Sequence, residues 1–284
     1  SILITERTKS VREDLATVDF KGPLCYDGSI TVNRSQRDTM PESKKLLLYL
    51  LGKPAIKREG AVIAEFAQQK SVALLAYLAV TGRPHTRAAL AGLLWGASSE
   101  ANARANLRKV LADLRKHVAA HVTITHHEVA FNASAPYWLD VQLFERQVKH
   151  IQTTAPPPNA LMSETAVVLA DAVALYQADF LAGFHVRRAP AFEEWVLLQR
   201  ERLRLTALQA LHRLAAYHMA QGSYPQAIEI IERLLALEPG QEDAHRQLMS
   251  ILALSGQREA ALRQYEICCR ALAEELNVAP QAET

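Results

Sequence analysis

A chain of 284 residues that is 49% apolar, with 32 Lys and Arg against 30 Asp and Glu for a net charge of +2, is long enough for two domains at the usual ~100 to 200 residues each. Its longest apolar runs, 46–51 and 72–80, fall short of the ~18 to 20 residues that cross a bilayer, and no signal-peptide pattern opens it, so no membrane partner and a cytoplasmic location are expected. Three cysteines, Cys25, Cys268 and Cys269, with no C-x-x-C, argue against a disulfide framework and a zinc ribbon.

The small net charge hides a division. Residues 44–132 hold thirteen Lys and Arg against five Asp and Glu, a balance of +8, while 1–43 carry −1 and 133–284 carry −5. A basic segment beside an acidic one predicts that the first meets a polyanion and the second does not.

Residues 1–43 are polar and broken by Gly22-Pro23, Asp27-Gly28 and Met40-Pro41, the composition of a flexible N-terminal arm. Met40, followed by P-E-S-K-K-L-L-L-Y-L-L, has the look of a natural start. Three short apolar or alternating stretches, 46–51, 55–58 and 61–66, predict a small antiparallel sheet. A nearly all-apolar helix over 70–81 ends at Gly82, with Val72, Leu75, Ala76 and Ala79 at the centre of a first core. Thr86 is placed to cap a second helix over 87–95, which Gly96 closes.

The third helix carries the chemistry. Leu107, Val110, Leu111, Leu114 and Val118 fall on one face at helical spacing, so that face is buried. Elsewhere on it stand Arg104, Arg108, Lys109, Arg115 and Lys116 against Glu100 and Asp113, with Asn102 and Asn106 able to bond base edges. Directly after it, Val122, Ile124, Val129 and Phe131 alternate with polar residues around His126-His127, which predicts a β-hairpin. Sheet, two helices, basic helix and hairpin, in that order, spell a winged helix-turn-helix.

Beyond Tyr137-Trp138-Leu139-Asp140 the pattern turns helical: 141–152, then a proline-rich linker over 154–159, then helices over 163–180, 192–220 and 258–276. Gly222 and Gly256 are 34 apart, as are Ala227 and Ala261, Leu214 and Leu248, and Met219 and Ala253. That is the tetratricopeptide period, and Pro239 ends a unit as proline often does in such repeats. The fold class expected is therefore mainly α. A winged helix-turn-helix with a small antiparallel sheet, 44–138, precedes an all-α repeat domain, 139–284.

With both halves in view, the chain resembles the Streptomyces antibiotic regulatory proteins, which join such a winged helix to a bacterial transcriptional activator domain of tetratricopeptide-like repeats. The residues that carry the resemblance are R-A-A-L-A-G-L-L-W (87–95), A-N-A-R-A-N-L-R-K-V-L-A-D-L-R (101–115), L-D-V-Q-L-F (139–144), E-W-V-L-L-Q-R-E-R-L-R (194–204), A-H-R-Q-L-M (244–249), A-L-R-Q-Y-E (261–266) and E-E-L-N-V-A-P (274–280). Residues 1–43 depart from the family pattern, as does Asn277, which stands where glycine is usual. The resemblance implies an activator that binds double-stranded promoter DNA at direct repeats, with a second protomer alongside, and that contacts RNA polymerase. Carried over by position, Arg104, Asn106, Arg108, Lys109 and Lys116 are candidates for base or phosphate contact, Arg108 and Lys109 foremost. Lys70, Thr86 and Arg87 sit at helix starts, where backbone N–H groups suit phosphate oxygens. His126 and His127 at the wing tip are placed for backbone or minor groove.

No catalytic constellation and no cofactor motif emerges, and there is no G-x-x-x-x-G-K-[ST]. Family relatives often continue into an ATPase module, so the chain also reads as the front of a longer regulator. His117 and His121 at i, i+4, with His126 and His127 nearby, lack a carboxylate or cysteine at familiar zinc spacing. A pure repeat scaffold with Arg200, Arg202, Arg204 and Arg213 lining a groove is the alternative, and it leaves the +8 segment without a purpose.

Overall fold

The computed structural model describes residues 45–58, 61–63, 66–154 and 163–284. The expected arm with Cys25 and Met40, and the linker beyond Thr154, lie outside the described residues. Strands β1 (Leu46–Tyr49), β2 (Ala55–Arg58) and β3 (Ala61–Val62) pair antiparallel, Leu46 opposite Arg58 and Lys57 opposite Val62. The third ends earlier than its pattern predicts, at Val62. Leu46 and Leu48 are buried while Leu47 and Tyr49 are half-buried, the alternation of a sheet with one face on a core.

Helix α1 (Gln69–Thr81) buries Ala73, Leu74, Leu75, Ala76, Leu78 and Ala79. Val72, expected at the core's centre, is only half-buried. Gly82 takes φ 62 and returns its N–H to the Leu78 carbonyl, a left-handed cap that a Cβ would strain. A two-residue strand β4 (His85–Thr86) leads into α2 (Arg87–Trp95), where Thr86 Oγ1 accepts the Ala89 N–H at 3.2 Å as the expected N-cap. Helix α3 (Glu100–Val118) buries the whole predicted stripe and Ala103 with it. After one 3-10 turn come β5 (Val122–Ile124) and β6 (Glu128–Phe131), paired antiparallel as the wing, Ile124 opposite Val129. Strand β4 adds to the wing's other edge, Thr86 opposite Glu128.

Strand β7 (Tyr137–Leu139) returns to the first sheet and lies parallel to β1, Leu48 opposite Leu139, giving the order β3-β2-β1-β7. Asp140, the residue that follows, is the first of α4 (Asp140–Thr154). Its carboxylate accepts from the N–H groups of Leu50 at 2.6 Å, Leu51 at 2.8 Å and Val141 at 2.7 Å. One buried side chain thus satisfies the end of β1 and the start of a helix in the other half.

Helix α5 (Ser163–Leu175) stops five residues before the expected end. The reason lies in the backbone: the Leu181 N–H donates to Leu50, Gly52 donates to Asp179, Ala182 donates to Gly52, and Phe180 bridges Leu51. Residues 176–189 therefore form a strap over the β1–β2 turn, with Leu181 at φ 52 and Arg188 at φ 57. Helices α6 (Pro190–Ala220), α7 (Tyr224–Leu237), α8 (Glu242–Leu254) and α9 (Arg258–Glu275) then pack in succession. Gly222 and Gly256, 34 apart, both hold positive φ at a helix end, and Leu214 and Leu248 are both buried. Asn277 adopts φ 54 after α9. The position where the family places glycine is thus a left-handed one, and asparagine is among the side chains that tolerate it best.

The two halves share one core. Trp195 of α6 meets Tyr77 of α1 edge-on at 4.8 Å between ring centres and packs on Phe180 and Phe192, an aromatic junction across the halves. Arg200 donates to the Phe180 and Leu181 carbonyls at 2.8 Å each, Arg202 pairs with Glu145, and Arg204 pairs with Glu201 and Glu238. Three of the four arginines that the scaffold alternative has lining a groove are thus engaged within the fold, and the Nε of the fourth, Arg213, is buried without a partner among the described residues. Cys268 is buried on α9 and Cys269 is half-buried beside it, in the packing role that small residues take there.

Candidate nucleic-acid interface

At 3.6 residues per turn, the buried side chains of α3 leave Ala105, Lys109, Ala112 and Lys116 pointing most directly away from the core. Arg104, Arg108 and Arg115 lie along one flank, and Asn106, Asp113 and His117 along the other. Arg104, Arg108, Lys109, Arg115 and Lys116 are all exposed. Arg104 is ion-paired with Glu100 one turn back, whereas the other four have no acidic partner among the described residues. The alanines between them, Ala105 and Ala112, keep the outer surface low.

The opposite flank faces the molecule. Asp113 accepts from Ser71 Oγ at 2.5 Å and from the Ala67 N–H at 3.2 Å, while His117 lies against Phe66 at 5.2 Å between ring centres. Asn106 lines a cavity of about 300 Å³ with Gln68, Gln69, Lys70, Trp95, Val186 and Arg187. Lys70 donates to the Leu94 carbonyl, at the end of α2, and its ammonium sits 4.7 Å from the Trp95 ring centre. Burial and the charge of Arg188 hold that ammonium below the usual lysine range. Of the residues singled out by sequence, Lys70 and Asn106 are therefore brought together with each other and away from the outer face of α3. Trp95 is buried as a core anchor.

The wing tip and the start of α2 are brought together. The His127 carbonyl accepts the Arg87 N–H at 2.9 Å, and Thr125 Oγ1 tightens the turn by accepting the Glu128 N–H at 3.0 Å. Both His126 and His127 are exposed. Since Thr86 Oγ1 takes the Ala89 N–H and His127 takes that of Arg87, two first-turn N–H groups expected to be available for phosphate are used internally. Thr86 remains exposed and Arg87 is half-buried, its Nε without a partner. His121 is buried and bonded to the Pro136 carbonyl at 2.9 Å; among the described residues no cluster of three metal-ligating side chains forms. No described helix is long and apolar enough to cross a membrane.

A winged helix-turn-helix carrying a basic outward helix and packed on helical repeats is the architecture of a transcription regulator. The family profile of the bacterial transcriptional activator domain matches residues 139–284, and the chain belongs to that family. The resemblance to Streptomyces antibiotic regulatory proteins agrees with it, and the family is one of transcriptional activators. The regulatory protein AfsR of Streptomyces coelicolor is 28% identical over 262 residues, which cover 90% of this chain and 25% of AfsR. Among solved structures, Mycobacterium tuberculosis EmbR in complex with a low-affinity phosphopeptide superimposes with a TM-score of 0.62 at 21% identity, covering 84% of this chain and 62% of EmbR. The chain thus spans about a quarter of AfsR and under two thirds of EmbR, and the second likeness is one of fold.

Proposed function

We propose that the chain is a sequence-specific activator whose unit 44–138 binds double-stranded promoter DNA, with α3 in the major groove. The observation that carries this reading is the outer face of α3, where Arg108, Lys109, Arg115 and Lys116 are exposed without acidic partners among the described residues. Cations left unpaired on a helix that projects from a rigid scaffold suit a phosphate-lined groove. In this reading Arg108 and Lys109 reach base edges and Lys116 meets phosphate, and Arg104 joins them on releasing Glu100. Thr86, Arg87, His126 and His127, held side by side by the wing, form a second contact to the backbone. Resemblance to the family supports direct-repeat sites, a second protomer on DNA and a cytoplasmic location. It also supports engagement of RNA polymerase or a regulatory module through residues 139–284.

Binding of the chain to upstream DNA of its own locus, followed by fluorescence anisotropy at several salt concentrations, tests the reading. The expected log K falls by about 0.9 per neutralised phosphate for each decade of salt. A flat salt response refutes it, and equal affinity for one and two half-sites refutes the side-by-side arrangement.

A further inference from the structure

The cavity of about 300 Å³ that Asn106 lines is built by both halves: Gln68, Gln69 and Lys70 from the start of α1, Trp95 from the end of α2, and Val186 and Arg187 from the strap. Its polar lining is one-sided. Among the described residues, two cationic and three amide side chains line it and no carboxylate does. Arg188 adds a third positive charge close enough to act on Lys70. Neither Arg187 nor Arg188 has an acidic partner among the described residues. Asp113, the acid on the same flank of α3, is turned to Ser71 and Ala67. Like charges gathered in an open depression, where Gln68, Gln69 and Arg187 are exposed, repel one another unless an anion joins them.

We infer that this cavity is a binding site for a small phosphomonoester, held between Lys70 and Arg187 with the amides of Asn106, Gln68 and Gln69 as neutral donors. Arginine offers a planar fork to phosphate oxygens and lysine a point charge. A volume at the bottom of the usual ligand range admits a phosphate head with a few carbon atoms. Because one wall is α3 and another is the strap, the ligand ties the basic helix to the helical half. Its occupancy would then bias how firmly α3 is held. The inference stands on the cavity alone and does not require the DNA reading.

Inorganic phosphate is the probe, titrated by calorimetry into the full chain at constant ionic strength, with chloride as the reference salt. Saturable binding to one site is expected, weakened about tenfold or more in Arg187→Gln. That residue is exposed on the strap, so the variant's fold is checked by circular dichroism. Asn106→Ala is the second variant, expected to weaken phosphate with Lys70 and Arg187 intact. Absence of saturable binding, or equal binding in wild type and Arg187→Gln, overturns the inference. Weaker DNA binding by Arg187→Gln in phosphate-free buffer also overturns it, by assigning that cation to the DNA backbone. Salt-dependent DNA binding without phosphate binding separates failure here from failure of the activator reading.

Discussion

Asp140 Oδ2 lies 2.6 Å from the backbone nitrogen of Leu50, ninety positions earlier in the chain. With the Leu51 and Val141 N–H groups also on this carboxylate, its removal strands three buried donors. Asp140→Ala is expected to cost on the order of 2 to 4 kcal/mol in urea denaturation. Burial pushes the carboxyl up to about 6 in spite of those three donors. A folded-state value above the unfolded one means that the proton is held more tightly in the folded chain. The stabilising contribution is complete below the unfolded value and lost as pH rises through about 6. Wild type should therefore gain stability relative to Asp140→Asn as pH falls from about 7 to about 5. A pH-independent difference between the two would contradict this.

On the outer face of α3, two substitutions should behave differently. Lys116→Ala is expected to weaken all duplexes alike and reduce the salt slope by about 1, whereas Arg108→Ala should cost ~1 to 3 kcal/mol and relax preference at one base pair. Competition binding with single-base variants of the site reads both. If neither substitution changes affinity, α3 is not in the groove.

Trp195 packs against Tyr77, Phe180 and Phe192. Trp195→Ala should lower stability by about 3 kcal/mol and raise amide exchange in α1 as well as in α6, because the ring belongs to both halves. Faster exchange confined to α6 would show that the junction does not couple them.

Asn277 is exposed at φ 54, so glycine there removes strain without removing a contact. Asn277→Gly is expected to raise stability by about 0.5 to 1 kcal/mol, and Asn277→Val to lower it by about 1 to 2 kcal/mol. Thermal melts of the two variants on either side of wild type are the check.

The elements that sequence revealed are those whose signal is local. The stripe from Leu107 to Val118, the Thr86 cap and the alternation around His126-His127 each declare themselves within a few turns of chain. What stayed hidden depends on distant partners. Tyr137–Leu139 is too short to show a period, and its partner β1 is about ninety residues away, so no turn announces the pairing. Residues 176–180 keep a helical composition, yet Leu50 and Gly52 claim the backbone that follows. For the interface, charge identified α3, but only its neighbours divide its polar residues. Asn106 and Lys70 read like their exposed companions until Trp95 and Arg187 are seen beside them. The Asn277 departure was legible as a departure and needed its backbone angle to become an explanation.

Strand β1 leaves the ribosome about ninety residues ahead of the parallel strand that completes its sheet. At ~5 to 20 residues per second, the nascent chain carries that strand's outer edge unpaired for roughly 5 to 20 s. The basic half can form its local helices in that time, but its sheet closes only after Tyr137–Leu139 and Asp140 have been made. Synthesis thus couples the maturation of the basic half to the arrival of the helical one.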